Sequence, residues 1–80
     1  MKAEIYTGEN CRYCTMAKEL LQEKGIEYTE KDFLDDSIEV AQRIGRIPNT
    51  VPQIFLDGEY VGGYTDLAAR FGVDTQGDKI

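Results

Sequence analysis

Along the chain the apolar residues change period several times, and each change marks an element. Residues 2–7 (KAEIYT) alternate and carry β-branched and aromatic side chains, which predicts a strand; Gly8, Glu9 and Asn10 then end it. Over residues 11–24 the apolar positions Met16, Ala17, Leu20 and Leu21 recur at i, i+1, i+4 and i+5. That is the stripe of an amphipathic helix, and Gly25 follows where a C-cap glycine belongs. Residues 26–32 (IEYTEKD) return to a period of two, so a second strand follows at once. A strand, helix, strand unit is parallel and right-handed by default.

Asp35, Asp36 and Ser37 offer N-caps for a second helix whose apolar face would be Ile38, Ala41 and Ile44, stopping at Gly45 with Pro48 beyond. Residues 51–56 read as a third strand. Asp57-Gly58 is a strong hairpin signal and joins it antiparallel to a fourth at 60–62. Thr65 is a competent N-cap for a short last helix through Leu67, Ala68 and Phe71, ended by Gly72, and residues 73–80 are expected to fray. The order β-α-β-α-β-β-α predicts an α/β fold: a four-stranded mixed sheet, half parallel and half antiparallel, with helices on both faces.

Eighty residues allow a single domain, 1–80, and no second one. A hydrophobic fraction of 41% and a charged fraction of 30% are ordinary globular usage, so the chain should fold on a thin core. Nine basic residues against 15 acidic ones give −6, spread along the chain, which makes nucleic acid and anionic membranes poor partners. No histidine and only two cysteines exclude a Ser/His/Asp triad, a Cys/His protease site, a His-ligated metal and a disulfide framework. Residues 1–6 hold no apolar core of a signal peptide, and no apolar run approaches the ~18 residues of a membrane span. The expectation is a monomeric, mature cytoplasmic protein with no bound metal or cofactor.

Cys11 and Cys14 fall at the end of the first strand and the start of the first helix, where open α/β sheets place their chemistry. Their spacing puts both sulfurs on one face of a helical turn, able to close a small disulfide. Free N–H groups and the positive end of the helix dipole favour a thiolate, and Cys11 lies nearest them. Cys11 is then the nucleophile and Cys14 the resolving thiol, a pair that moves two electrons through a mixed disulfide. A purely structural disulfide would restrain the unfolded chain little across so short a loop. A zinc site would need two further ligands, which only a second copy could supply.

Three separated segments resemble the glutaredoxins, the small dithiol class of the thioredoxin fold: Cys11-Arg12-Tyr13-Cys14, Thr50-Val51-Pro52-Gln53-Ile54-Phe55 and Gly62-Gly63-Tyr64-Thr65-Asp66. The resemblance covers nearly the whole chain and implies roles for single residues. Pro52 would be cis and face Cys11, leaving the backbone of Val51, next to Thr50, free to pair with glutathione's cysteinyl unit as an added strand. Gly62 and Gly63 would let the ligand backbone approach, and Thr65 and Asp66 would hold its γ-glutamyl end, Asp66 facing the ammonium group. Family members often carry a base three positions before the first cysteine, where this chain has Gly8. Arg43 and Arg46, with Arg12 nearby, remain as candidates for the glycyl carboxylate. Tyr13 matches the family aromatic between the cysteines, and Tyr64 and Tyr6 would line the same groove. Each has a plainer account: a strand-start proline, a helix cap, solvated surface arginines, and core packing for Tyr6.

What the resemblance implies is a glutathione-dependent thiol-disulfide oxidoreductase, with glutathione as co-substrate and glutathionylated or disulfide-containing proteins as partners. A second reading keeps the fold and changes the electron source: a redoxin that serves ribonucleotide reductase and is recharged by thioredoxin reductase. The missing base at Gly8 favours it and the segment 62–66 opposes it. A third is a dimer holding an iron-sulfur cluster with two glutathiones, which the dithiol motif and bulky Arg12 disfavour.

Overall fold

Strand β1 (Lys2–Thr7) points Ala3 and Ile5 to one side and Tyr6 to the other, and all three are buried, so it must be covered on both faces. The computed structural model, which describes residues 1–72, shows how. After helix α1 (Arg12–Glu23), strand β2 (Glu27–Asp32) lies parallel to β1, pairing Lys2 with Glu27 through Thr7 with Asp32. Helix α2 (Phe33–Ile44) follows, then strand β3 (Gln53–Leu56), antiparallel to β1 with Ile5 opposite Ile54. Strand β4 (Glu59–Gly62) completes the hairpin, and helix α3 (Tyr64–Arg70) closes the described chain. The sheet order is β2-β1-β3-β4. Ala17, Leu20 and Leu21 of α1 and Leu67 and Ala68 of α3 pack on Ile5, Ile54 and Leu56; Val40 of α2 packs on Tyr6 and Phe55 on the opposite face. This is the four-stranded mixed sheet expected from the order of elements, and it has the thioredoxin-like form that the resemblance implies. The fraying expected at 73–80 lies outside the described residues.

Apart from shifts of one residue at element ends, boundaries differ from the pattern in three places. The strand expected from residue 51 begins at Gln53, because Pro52 has no N–H to give a ladder. Helix α2 starts at Phe33 rather than after Asp35, Asp36 or Ser37: the Asp32 carboxylate accepts the Leu34 amide at 2.9 Å and caps it. At Asp36 the backbone leaves helical geometry (φ −113°, ψ 21°), a kink where the sequence pattern had put the start. The docked stripe is consequently Phe33, Val40 and Ile44, and Ile38 is left 73% exposed. The third difference is the start of α3, taken up with the site below.

A charged network holds α2 to the sheet. The buried Tyr6 hydroxyl donates to Glu39 (2.7 Å) and accepts from Arg43 (3.1 Å). Arg43 pairs with Glu4 (2.7 Å) and lies over the Phe55 ring, while Lys31 reaches Glu39 (3.1 Å) and Glu4 (3.8 Å). Burial and the bond to Glu39 push the Tyr6 hydroxyl up, and Glu39 also pushes Lys31 up. The Tyr6 hydroxyl, then Lys31, hold Glu39 below its ordinary value; the Thr7 hydroxyl, then Lys18, do the same for Glu30. Lowered carboxylates stabilise the fold above their ordinary range and lose that contribution as pH falls through the folded values. Raised groups stabilise it below their ordinary values and lose that as pH rises. The thermal midpoint should therefore be flat near neutrality, and fall below about pH 4 and above about pH 10. Calorimetry across that span checks it, and a midpoint rising on acidification would contradict it.

Candidate functional site

A three-residue loop, 8–10, with Asn10 at φ 54°, carries the chain from the carboxyl end of β1 to Cys11. Cys11 is the N-cap of α1, the residue before the first helical one, with extended φ −104° and ψ 102°. Its Sγ takes the place of the usual cap oxygen and accepts the Cys14 amide at 3.0 Å. A hydrogen bond to the charged form favours the thiolate, as does the helix N-terminus. Cys14, one turn in, is 2% exposed, whereas Cys11 is only partly buried. The Cα atoms stand 5.2 Å apart and the sulfurs are joined as a disulfide, the oxidised form of the pair. An accessible sulfur with a backbone donor and a covered one behind it suit the roles of attacking and resolving thiol.

Facing the cysteines is the Val51-Pro52 peptide, which is cis, with the Val51 carbonyl 3.7 Å from Cys11 Sγ. In the disulfide that sulfur carries no proton, so the contact becomes a hydrogen bond only with Cys11 as a thiol. Gly8 also approaches Val51 closely. A Cβ there would meet Val51 Cγ2 at 3.3 Å, so the glycine lets the loop close tightly against Val51.

Tyr13, Thr50, Val51, Pro52, Gly63, Tyr64 and Thr65 line one groove of about 250 Å³, walled on one side by the Tyr13 and Tyr64 rings, 6.0 Å apart. Three distant segments of sequence thus meet beside Cys11. The N-cap of α3 is Gly63, not Thr65; the Asp66 carboxylate accepts the Gly63 amide at 3.2 Å and supplies the cap bond. Thr65, relieved of capping, is exposed to the groove.

The arginines do not gather there. Arg43 is engaged by Glu4, Tyr6 and Phe55 and borders a hollow with Lys2, Ala3 and Asp57, at the opposite end of β1 from the cysteines. Arg46 edges a separate apolar hollow with Ile38 and Ile47. Arg12 is adjacent to Cys11 in sequence but exposed, without a hydrogen bond or ion pair among the described residues. Tyr6 is fully buried in the core beneath α2 and does not line the groove. Gln53 and Tyr60, to which the sequence alone assigns no role, hydrogen-bond to each other at 2.6 Å. The available signal was a glutamine inside the apolar run after Pro52, since a buried amide needs partners.

Comparison with known proteins agrees with this geometry. The glutaredoxin family model matches residues 3–61. Glutaredoxin 3 of Escherichia coli is 44% identical over 77 residues, covering 89% of this chain and 90% of that protein. The solution structure of a glutaredoxin from Brucella melitensis superposes with a TM-score of 0.71 at 39% identity, covering 99% of this chain and 86% of its own. The structure of oxidised Escherichia coli glutaredoxin gives 0.73 at 31% identity, covering 95% and 99%. With a Cys-x-x-Cys pair at disulfide distance on a four-stranded mixed sheet, this chain belongs to the glutaredoxin family of thiol-disulfide oxidoreductases.

Proposed function

We propose that the protein is a glutathione-dependent oxidoreductase acting on glutathione mixed disulfides and on protein disulfides. The observation that carries this is the groove of Tyr13, Thr50, Val51, Pro52, Gly63, Tyr64 and Thr65, whose lining residue Val51 has its carbonyl 3.7 Å from Cys11 Sγ. Cys11 thiolate attacks the glutathione sulfur of a mixed disulfide: a Cys11–glutathione S–S bond forms, the original S–S bond breaks, and the partner leaves as a thiol after taking a proton. A second glutathione thiolate attacks the bound glutathione sulfur, releasing oxidised glutathione and Cys11 thiolate. With a protein disulfide, Cys11 attacks first and Cys14, losing its proton, displaces the substrate and closes the Cys11–Cys14 disulfide. Two glutathiones then supply the two electrons. This chemistry belongs in the reducing cytoplasm. The protein acts as a monomer in this reading.

Asp66 supports the γ-glutamyl reading through its place beside Gly63 at the groove's edge, yet it also caps α3. Asp66→Asn separates the two roles, since asparagine keeps an acceptor for the Gly63 amide and loses the charge. A charge-assisted hydrogen bond contributes about 1.5–3 kcal/mol, less at an exposed site, so KM for a glutathionylated peptide should rise several-fold with an unchanged thermal midpoint. An unchanged KM would leave Asp66 as a cap alone. Recharging by thioredoxin reductase is favoured by one observation: neither Gly8 nor Arg43 offers a cation to the groove.

A further inference from the structure

Gln53 opens β3 between Pro52 and Ile54 and is 3% exposed, the one amide side chain buried among the described residues. Its Nε2 donates to the Thr50 carbonyl at 2.9 Å and to Thr50 Oγ1 at 3.3 Å, and its Oε1 accepts from the Tyr60 hydroxyl at 2.6 Å. The direction of this chain is fixed. The Thr50 carbonyl can only accept, so the amide nitrogen must face it, and Oε1 is left needing the donor that Tyr60 provides. The Tyr60 ring is held in turn against Phe55, its cross-strand partner, with centroids 5.3 Å apart.

What the chain grips is the end of an eight-residue connection, 45–52, that has no helix or strand of its own. Among the described residues no other hydrogen bond reaches the Thr50 carbonyl. The Thr50–Val51 peptide is planar, so holding its C=O also sets the direction of the Val51 N–H and the path into the carbonyl 3.7 Å from Cys11 Sγ. We infer that Gln53 and Tyr60 are positioning residues: through this two-bond chain the β3–β4 hairpin fixes the peptide unit that presents Val51 to the substrate. The inference rests on the proposed pairing of the Val51 backbone with glutathione's cysteinyl unit.

Tyr60→Phe removes one hydroxyl and keeps the ring; Gln53→Met keeps the volume and removes the amide. Wild type saturating with a glutathionylated peptide secures the underlying reading independently. Given that, KM for the peptide should rise roughly threefold or more in each variant, the scale of one lost net hydrogen bond, with kcat within about twofold. The double variant should be no worse than Gln53→Met alone, because both changes cut one chain. The Val51 amide order parameter, from NMR relaxation, should fall in Tyr60→Phe even where Gln53→Met folds poorly. Unchanged KM and an unchanged Val51 order parameter in folded Tyr60→Phe would overturn the inference. So would independent, multiplicative effects in the double variant, or a lowered thermal midpoint with KM unmoved, which is what a purely structural pair gives.

Discussion

Cys11→Ser should abolish activity on every disulfide, whereas Cys14→Ser should go on removing glutathione from small mixed disulfides. Only Cys11 combines an accessible sulfur, a 3.0 Å bond from the Cys14 amide and a groove beside it. Serine there is a far weaker nucleophile, since a hydroxyl remains protonated where a thiol ionises. Cys14 is buried, and in the proposed cycle it attacks Cys11 once a protein thiol is attached. When the attached group is glutathione, a second glutathione performs that step from outside. Cys14→Ser should therefore lose protein-disulfide reduction and keep deglutathionylation, measured with an insulin-type substrate and a glutathionylated peptide respectively. Equal loss in both variants on the glutathionylated peptide would refute the division of labour.

Gly62→Ala should be the most damaging glycine-to-alanine change among the described residues. Gly62 has φ 124°, a conformation side chains rarely adopt, and a Cβ there would run into the Asp66 carboxylate. The strain costs about 1–3 kcal/mol, and displacing Asp66 from the Gly63 amide removes a cap worth about 0.5–2 kcal/mol. Together these predict a midpoint lower by on the order of 10 °C or more for a domain of this size. Gly25→Ala is the control: φ is also positive, at 72°, but nothing lies within 4 Å of the added Cβ. Equal midpoints for the two variants would show that the collision with Asp66 is relieved without cost.

Much of this architecture is readable from the chain because its punctuation is unambiguous. Asp57-Gly58 marks the hairpin, Gly25 and Gly45 follow the first two helices, and the Leu20–Leu21 stripe gives α1. The groove residues are legible through the resemblance of three short segments rather than through spacing, since nothing local in Thr50-Val51-Pro52 says that it will face Cys11. Long-range electrostatics is where the sequence is silent. Arg43 looks like a surface cation until Glu4 and Tyr6, more than thirty residues away, claim it. The caps are hidden from the sequence for a related reason: Asp32 and Gly63 outcompete the better-looking Asp35 and Thr65 because β2 and β4 run almost directly into their helices, fixing where the first turn must start.

The most direct test of glutathione dependence is the source of electrons. NADPH consumption should be followed with one disulfide substrate and the purified protein, using either glutathione with glutathione reductase or thioredoxin reductase alone. A groove that binds glutathione beside Cys11 predicts sustained turnover with the first system and background with the second. Turnover only with thioredoxin reductase would contradict it.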